Sequence, residues 1–120
     1  MSTDGGYLST HVLDTVTGLP AAGVRVTLYS ISGDGRSLVT KTTTNGDGRT
    51  DDPLVSEGKL ETGLYELEFD IGDHFVRTGL LKEAPFLDSV PVRFKVDDAN
   101  LHYHVPLLAS PFSYTTYRGS

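Results

Sequence analysis

The sequence predicts an all-β fold, a two-sheet β-sandwich of about eight strands with one short helix near residues 73–80. Three observations carry that expectation. Apolar and polar residues alternate with a period of two over most of the chain, as in a strand with one face on a core and one in water. Gly beside Asp, Asn or Thr punctuates the runs, where hairpins need residues that tolerate positive φ. Only one stretch departs from the alternation toward helical spacing.

In chain order, "LSTHVLD" opens the set, and "GVRVTLYS" sets Val24, Val26 and Leu28 against Arg25 and Thr27. The turn "SGDGR" leads into "RSLVTKTTT", and "NGDGR" ends it. After "ETG" comes the clearest strand, "LYELEFDI", with Tyr65, Leu67, Phe69 and Ile71 on one face and Glu66, Glu68 and Asp70 on a wet one. In "GDHFVRTGLL", Asp73 suits a helix cap, Val76 and Leu80 lie four apart, and Gly79 suits a terminator. "VPVRFKV", "HYHVPLLAS" and "SYTTYRG" complete the strands.

A chain of 120 residues fits one domain over 1–120 and buries roughly two-thirds of its unfolded surface. Residues 1–6 are expected to be disordered. The absence of cysteine excludes disulfides and thiolate metal sites. A net charge of −6 argues against nucleic acid as a partner, because phosphate binders cluster Lys and Arg. There is no basic-then-apolar start and no bilayer-length apolar run, so no membrane association is expected and the reading is a soluble, cytoplasmic protein.

Histidine exchanges protons near neutral pH, and there are four: His11, His74, His102 and His104. His74, among charged residues of the presumed helix, is expected to be solvated. His102 and His104 lie two apart, so a strand sends both to one face. That face is either a wet sandwich surface or, with His11, an open three-imidazole zinc site, for which no thiolate and no identifiable second carboxylate is at hand. The loop "TNGDGRTDD" fails as a calcium loop, since Arg49 and Thr50 fall where an oxygen ligand and a glycine belong. It reads as a hairpin loop that holds Arg49 beside a tight turn. Neither a serine nucleophile elbow nor a phosphate-cradling glycine loop is present.

Four segments, "LSTHVLDTVTGLPAAGVRVTLY", "TNGDGRTDDPL", "HYHVPLLASPFSY" and "TYRGS", together resemble the transthyretin-related family of 5-hydroxyisourate hydrolases over nearly the whole chain. The terminal Tyr-Arg-Gly-Ser is the most specific element, resembling the tetrapeptide that separates these hydrolases from true transthyretins. The resemblance implies a transthyretin-like sandwich and a homotetramer, a dimer of dimers with active sites at the dimer–dimer interface. It implies hydrolysis of 5-hydroxyisourate to 2-oxo-4-hydroxy-4-carboxy-5-ureidoimidazoline in urate catabolism, with no metal and no organic cofactor. Residue by residue it assigns His11, Arg49, His104 and Ser120 to catalysis, and His11, Arg49, Tyr117, Arg118 and Gly119 to substrate binding. His102 receives only a supporting part. Which of His11 and His104 acts as the base stays open. The competing expectation is a transthyretin-like small-molecule carrier without catalysis.

Overall fold

The computed structural model describes residues 5–80 and 85–119. Among these residues the order is β1 (Tyr7–Asp14), β2 (Leu19–Pro20), β3 (Arg25–Ser32), β4 (Gly35–Thr43), β5 (Gly63–Asp70), α1 (Ile71–Arg77), β6 (Ser89–Val96), β7 (His102–Ala109) and β8 (Tyr114–Thr116). They form two four-stranded sheets, β2-β1-β7-β8 and β4-β3-β5-β6. The sandwich expected from the alternation is therefore observed, with a two-residue strand, β2, added and the last strand cut to three residues.

Alternation sends one set of side chains from each sheet inward, where Leu8, Val12, Tyr103, Val105 and Leu107 meet Val26, Leu28, Leu67, Phe69, Val90 and Val92. Every strand pair is antiparallel except β1 with β7, which run parallel over the full length of both. A parallel pair needs a long crossover, and here everything from β2 to β6 serves as that crossover.

Three expectations need correction. The helix spans Ile71–Arg77 rather than 73–80, because β5 runs directly into it. Asp73 stands in its first turn and pairs with Arg77 one turn on, 3.3 Å away, instead of capping. Gly79 does follow the helix end in the left-handed region, φ 84°. The wet face of β5 is not uniformly wet: Glu66 is buried beneath Arg36 and Arg93, which reach its two carboxylate oxygens from β4 and β6.

His74 is the third correction. It is buried, and its Nε2 lies 2.9 Å from Asp14 Oδ2, with both side chains about 5% exposed. Asp14 also accepts the amides of Val16 and Thr17, so one carboxylate ties the β1–β2 turn to α1. Sequence neighbours of His74 are charged, but α1 lies on the sandwich and turns this one side chain toward the end of β1. The segment expected to be loose at the start lies mainly outside the described residues. At its end Gly6 is buried and donates to the Ala99 carbonyl, 2.7 Å.

Burial pushes the Asp14 carboxyl up, but the hydrogen bonds from His74, Thr17 and Val16 outweigh it and hold the group below its ordinary range. A carboxyl depressed on folding contributes stability above its unfolded pKa, near ~3.9, and that contribution disappears as pH falls through the folded value. Asp14→Ala is therefore expected to cost about 1–3 kcal/mol at neutral pH, measured as urea midpoints. The gap from the unsubstituted protein should close as the pH is taken below the carboxylate range. A pH-independent gap would mean that the charge on Asp14 contributes nothing.

Candidate active site

Inward positions of β1 and β7 make the core, so their outward positions form the second face of the same sheet. The parallel register places Tyr7 beside His102, Ser9 beside His104 and His11 beside Pro106. One surface thus carries Tyr7, Ser9, His11 and Leu13 in one row and His102, His104, Pro106 and Leu108 in the next. The histidines of β7 share a face as the two-residue spacing requires, and their rings lie 6.1 Å apart.

Arg49 reaches this face through the loop after β4. Asn45 organises that loop: its Oδ1 accepts the amides of Asp47 and Arg49, and its Nδ2 donates to Asp51. Oxygens that a calcium reading would need are spent on the turn. Gly48 takes φ 73° and its carbonyl accepts the amide of Val12 at 2.8 Å. A Cβ on Gly48 would stand 2.4 Å from the Val12 carbonyl oxygen, so only glycine permits the loop to close on β1. The next residue, Arg49, then forms an isolated antiparallel bridge with His11.

Gly119 closes on the other side. Its amide donates to the His104 carbonyl at 2.8 Å, and a Cβ there would stand 2.6 Å from His104 Cδ2. The tail therefore packs its bare backbone against the imidazole edge and limits the ring's rotation. On its remaining side His104 Nδ1 lies 2.8 Å from Ser9 Oγ, which is also 2.7 Å from His102 Nε2. His102 in turn stacks on Tyr7 at 3.9 Å between centroids, with planes 10° apart.

His104 is held below the usual imidazole range, first by burial and then by the nearby charges of Arg49, His102 and His11. All four groups are half-buried or near-neighbours on one surface, and a neutral imidazole beside a permanent cation suits a general base. That is the chemistry the arrangement can perform: proton abstraction at His104, with a fork of guanidinium donors for developing negative charge.

Of the residues expected at a site, His11, Arg49, His104 and Gly119 come together. Arg118 does not join them: its guanidinium lies over the Tyr103 ring, 4.4 Å from the centroid. With exposed Tyr117 it lines an apolar groove of about 440 Å3 shared with Val92, Phe94 and Val105, between the edge strands β6 and β8. Ser120 lies outside the described residues. A second groove, of about 550 Å3 on the opposite sheet, is lined by Arg25, Thr27, Lys41, Glu68 and Asp70. There Arg25 is paired with Asp70, whereas the histidine face presents an imidazole held below its ordinary range, which makes that face the candidate site. Sequence reasoning missed Ser9 and Tyr7, although spacings of two and four residues from His11 already put them on its face.

No group of three or more His, Asp or Glu side chains among the described residues is arranged to hold a metal ion, and no described helix is long and apolar enough to cross a membrane.

Known proteins resemble this chain along its length. Residues 8–119 match the HIUase/Transthyretin family. A 5-hydroxyisourate hydrolase of Halalkalibacterium halodurans is 56% identical over 117 residues, 96% of this chain and 98% of that one. A protein of the same description from Deinococcus radiodurans is 55% identical, over 94% of this chain and 95% of its own. Among solved structures, 5-hydroxyisourate hydrolase of Klebsiella pneumoniae superposes with TM-score 0.77 at 35% identity, covering 96% of this chain and 94% of that one. An (S)-allantoin synthase superposes with TM-score 0.90 at 42% identity over the whole chain, which spans 46% of that longer protein. Sea bream transthyretin in complex with thyroxine superposes with TM-score 0.83 at 31% identity, covering 93% of each.

Two outcomes follow from the site's geometry. Arg49→Met should raise the His104 pKa toward its ordinary value, read as the midpoint of the ring-proton NMR titration. Gly119→Ala should displace the His104 ring, read as changed ring resonances with a melting temperature close to that of the unsubstituted protein.

Proposed function

Because the chain belongs to the HIUase/Transthyretin family, we propose that it hydrolyses 5-hydroxyisourate to 2-oxo-4-hydroxy-4-carboxy-5-ureidoimidazoline, a step of urate catabolism. The observation that carries this reading is His104, neutralised by its surroundings and set against Arg49 and His11 on one sheet face.

Ring opening of a cyclic acyl-urea requires water to lose a proton as it attacks the carbonyl, negative charge to gather on the carbonyl oxygen, and the departing nitrogen to be protonated. His104 takes the proton from water, and a positioned base contributes typically ~10²–10⁴-fold. Arg49 cannot give up its proton, so it serves the oxygen as a planar, permanently charged donor. His11, bridged to Arg49, orients the ring or passes the proton to the leaving nitrogen. Exchanging the parts of the two histidines is disfavoured by the burial and charge that act on His104.

Ser120 and Tyr117 enter the proposal through the family resemblance, as does Arg118. The reading also includes a homotetramer in which the histidine faces of paired dimers meet. Leu13 and Leu108, half-buried beside the histidines, support it by making that face partly apolar. It further includes a cytoplasmic location and operation without metal or organic cofactor. A carrier role is the second reading, supported by the likeness to the thyroxine-bound transthyretin. It would give no turnover.

The test is the ultraviolet decay of 5-hydroxyisourate generated in place by urate oxidase. Fast decay with the unsubstituted protein, a loss of about 100-fold or more in His104→Ala, and a smaller loss in Arg49→Lys are expected. The lysine keeps the charge but lacks the planar fork. Decay at the spontaneous rate from the folded protein would transfer the weight to the carrier reading, and unchanged turnover in Arg49→Lys would remove the bidentate role.

A further inference from the structure

Ser9 Oγ sits between His104 Nδ1 and His102 Nε2, at 2.8 and 2.7 Å. A hydroxyl has one proton to donate, so it cannot donate to both rings. Its two lone pairs let it accept from both, or it donates to one ring and accepts from the other, and in this second arrangement the two bonds run in one direction along the chain of three groups. That directional arrangement couples the tautomers of His102 and His104.

We propose that Ser9 and His102 form a proton relay behind His104, an inference that rests on reading His104 as the base that activates water. A base at Nε2 must be bare there, so the neutral ring carries its proton on Nδ1 and donates it to Ser9 Oγ. Ser9 then donates its own proton to His102 Nε2, and His102 holds its ring proton on Nδ1. When Nε2 of His104 takes a proton from water, the O–H bond of water breaks and its electron pair goes to the carbonyl carbon. The Nδ1 proton passes to Ser9 Oγ and the Ser9 proton passes to His102 Nε2. His104 ends neutral and His102 ends as the imidazolium. Reversing the two transfers returns the proton through His104 Nε2 to the departing nitrogen, so the cycle balances without another reactant.

The structure provides a reason for the charge to move. Burial of His104 and the charge of Arg49 near it both oppose a cation there. His102 is two residues further from that loop along β7 and lies flat on the Tyr7 ring at 3.9 Å, where an aromatic face stabilises a cation. Ser9 is a positioning residue in this scheme, acting on substrate only through His104.

Two independent readouts test the relay. In the full-length protein labelled with nitrogen-15 histidine, both rings should be protonated on Nδ1, against the Nε2–H form that neutral histidine prefers in water. Ser9→Ala should return both toward the aqueous preference. Rings protonated on Nε2, or unmoved by Ser9→Ala, would overturn the proposal whether or not the protein turns over 5-hydroxyisourate. In the decay assay, Ser9→Ala should lower kcat about 10-fold or more with KM nearly unchanged, and Ser9→Thr, which keeps the hydroxyl, should restore it. Ser9→Ala combined with His102→Leu should be no slower than the slower single variant, because the residues act as one unit. Full turnover in Ser9→Ala from an active wild type would defeat the relay alone. An inactive wild type would defeat the hydrolase reading, and the ring tautomers would still decide the relay.

Discussion

Parallel pairing of β1 with β7 sets the position of everything on the functional face. These strands are far apart in sequence, and their register alone decides that Ser9 lies beside His104 and Tyr7 beside His102. Because side chains alternate across a sheet, a slip of one residue would send Ser9 and His11 into the core and bring Leu8, Thr10 and Val12 out. The register is held from within by the fully buried Leu8, Val12 and Leu107, and by Thr10 Oγ1, which donates to the Val105 carbonyl at 2.7 Å. Core packing and site geometry are consequently one constraint seen from the two faces of one sheet.

Two loops complete the face, and both do so with glycine backbone. Gly48 lets the β4 loop approach β1 closely enough to deliver Arg49, and Gly119 lets the tail lie against His104. Neither residue offers a functional group. Each removes a Cβ that would collide with backbone or ring, so the chemical groups beside them can be brought within working distance.

Electrostatics divides along the same lines. The chain carries a net charge of −6, yet the acidic residues on the outer face of the second sheet are matched by Arg36, Arg93 and Arg25. On the histidine face a guanidinium stands near the imidazoles, and its charge adds locally to the burial that holds His104 below its ordinary range. Net charge describes the behaviour of the molecule toward nucleic acid, whereas a single cation placed by a loop describes the site.

Much of the fold was legible by itself. Alternation in "LYELEFDI" and "VPVRFKV", and Gly-Asp turns between runs, identified strands and their facing because those properties depend on immediate neighbours. The His-x-His spacing placed two imidazoles on one side, and Arg49 was recognisable as a cation fixed beside a tight turn. What the sequence by itself determined was the two-sheet class, most of the strands and the family-like set of His11, Arg49 and His104. Only the tertiary structure decided that His74 is a buried partner of Asp14, that Arg118 stacks on Tyr103, and that Ser9 joins two histidines. Each of these depends on contacts between residues on different elements, well separated along the chain. Local periodicity states which way a side chain points. Strand order and register state what it meets, and those are set by the packing of the whole core.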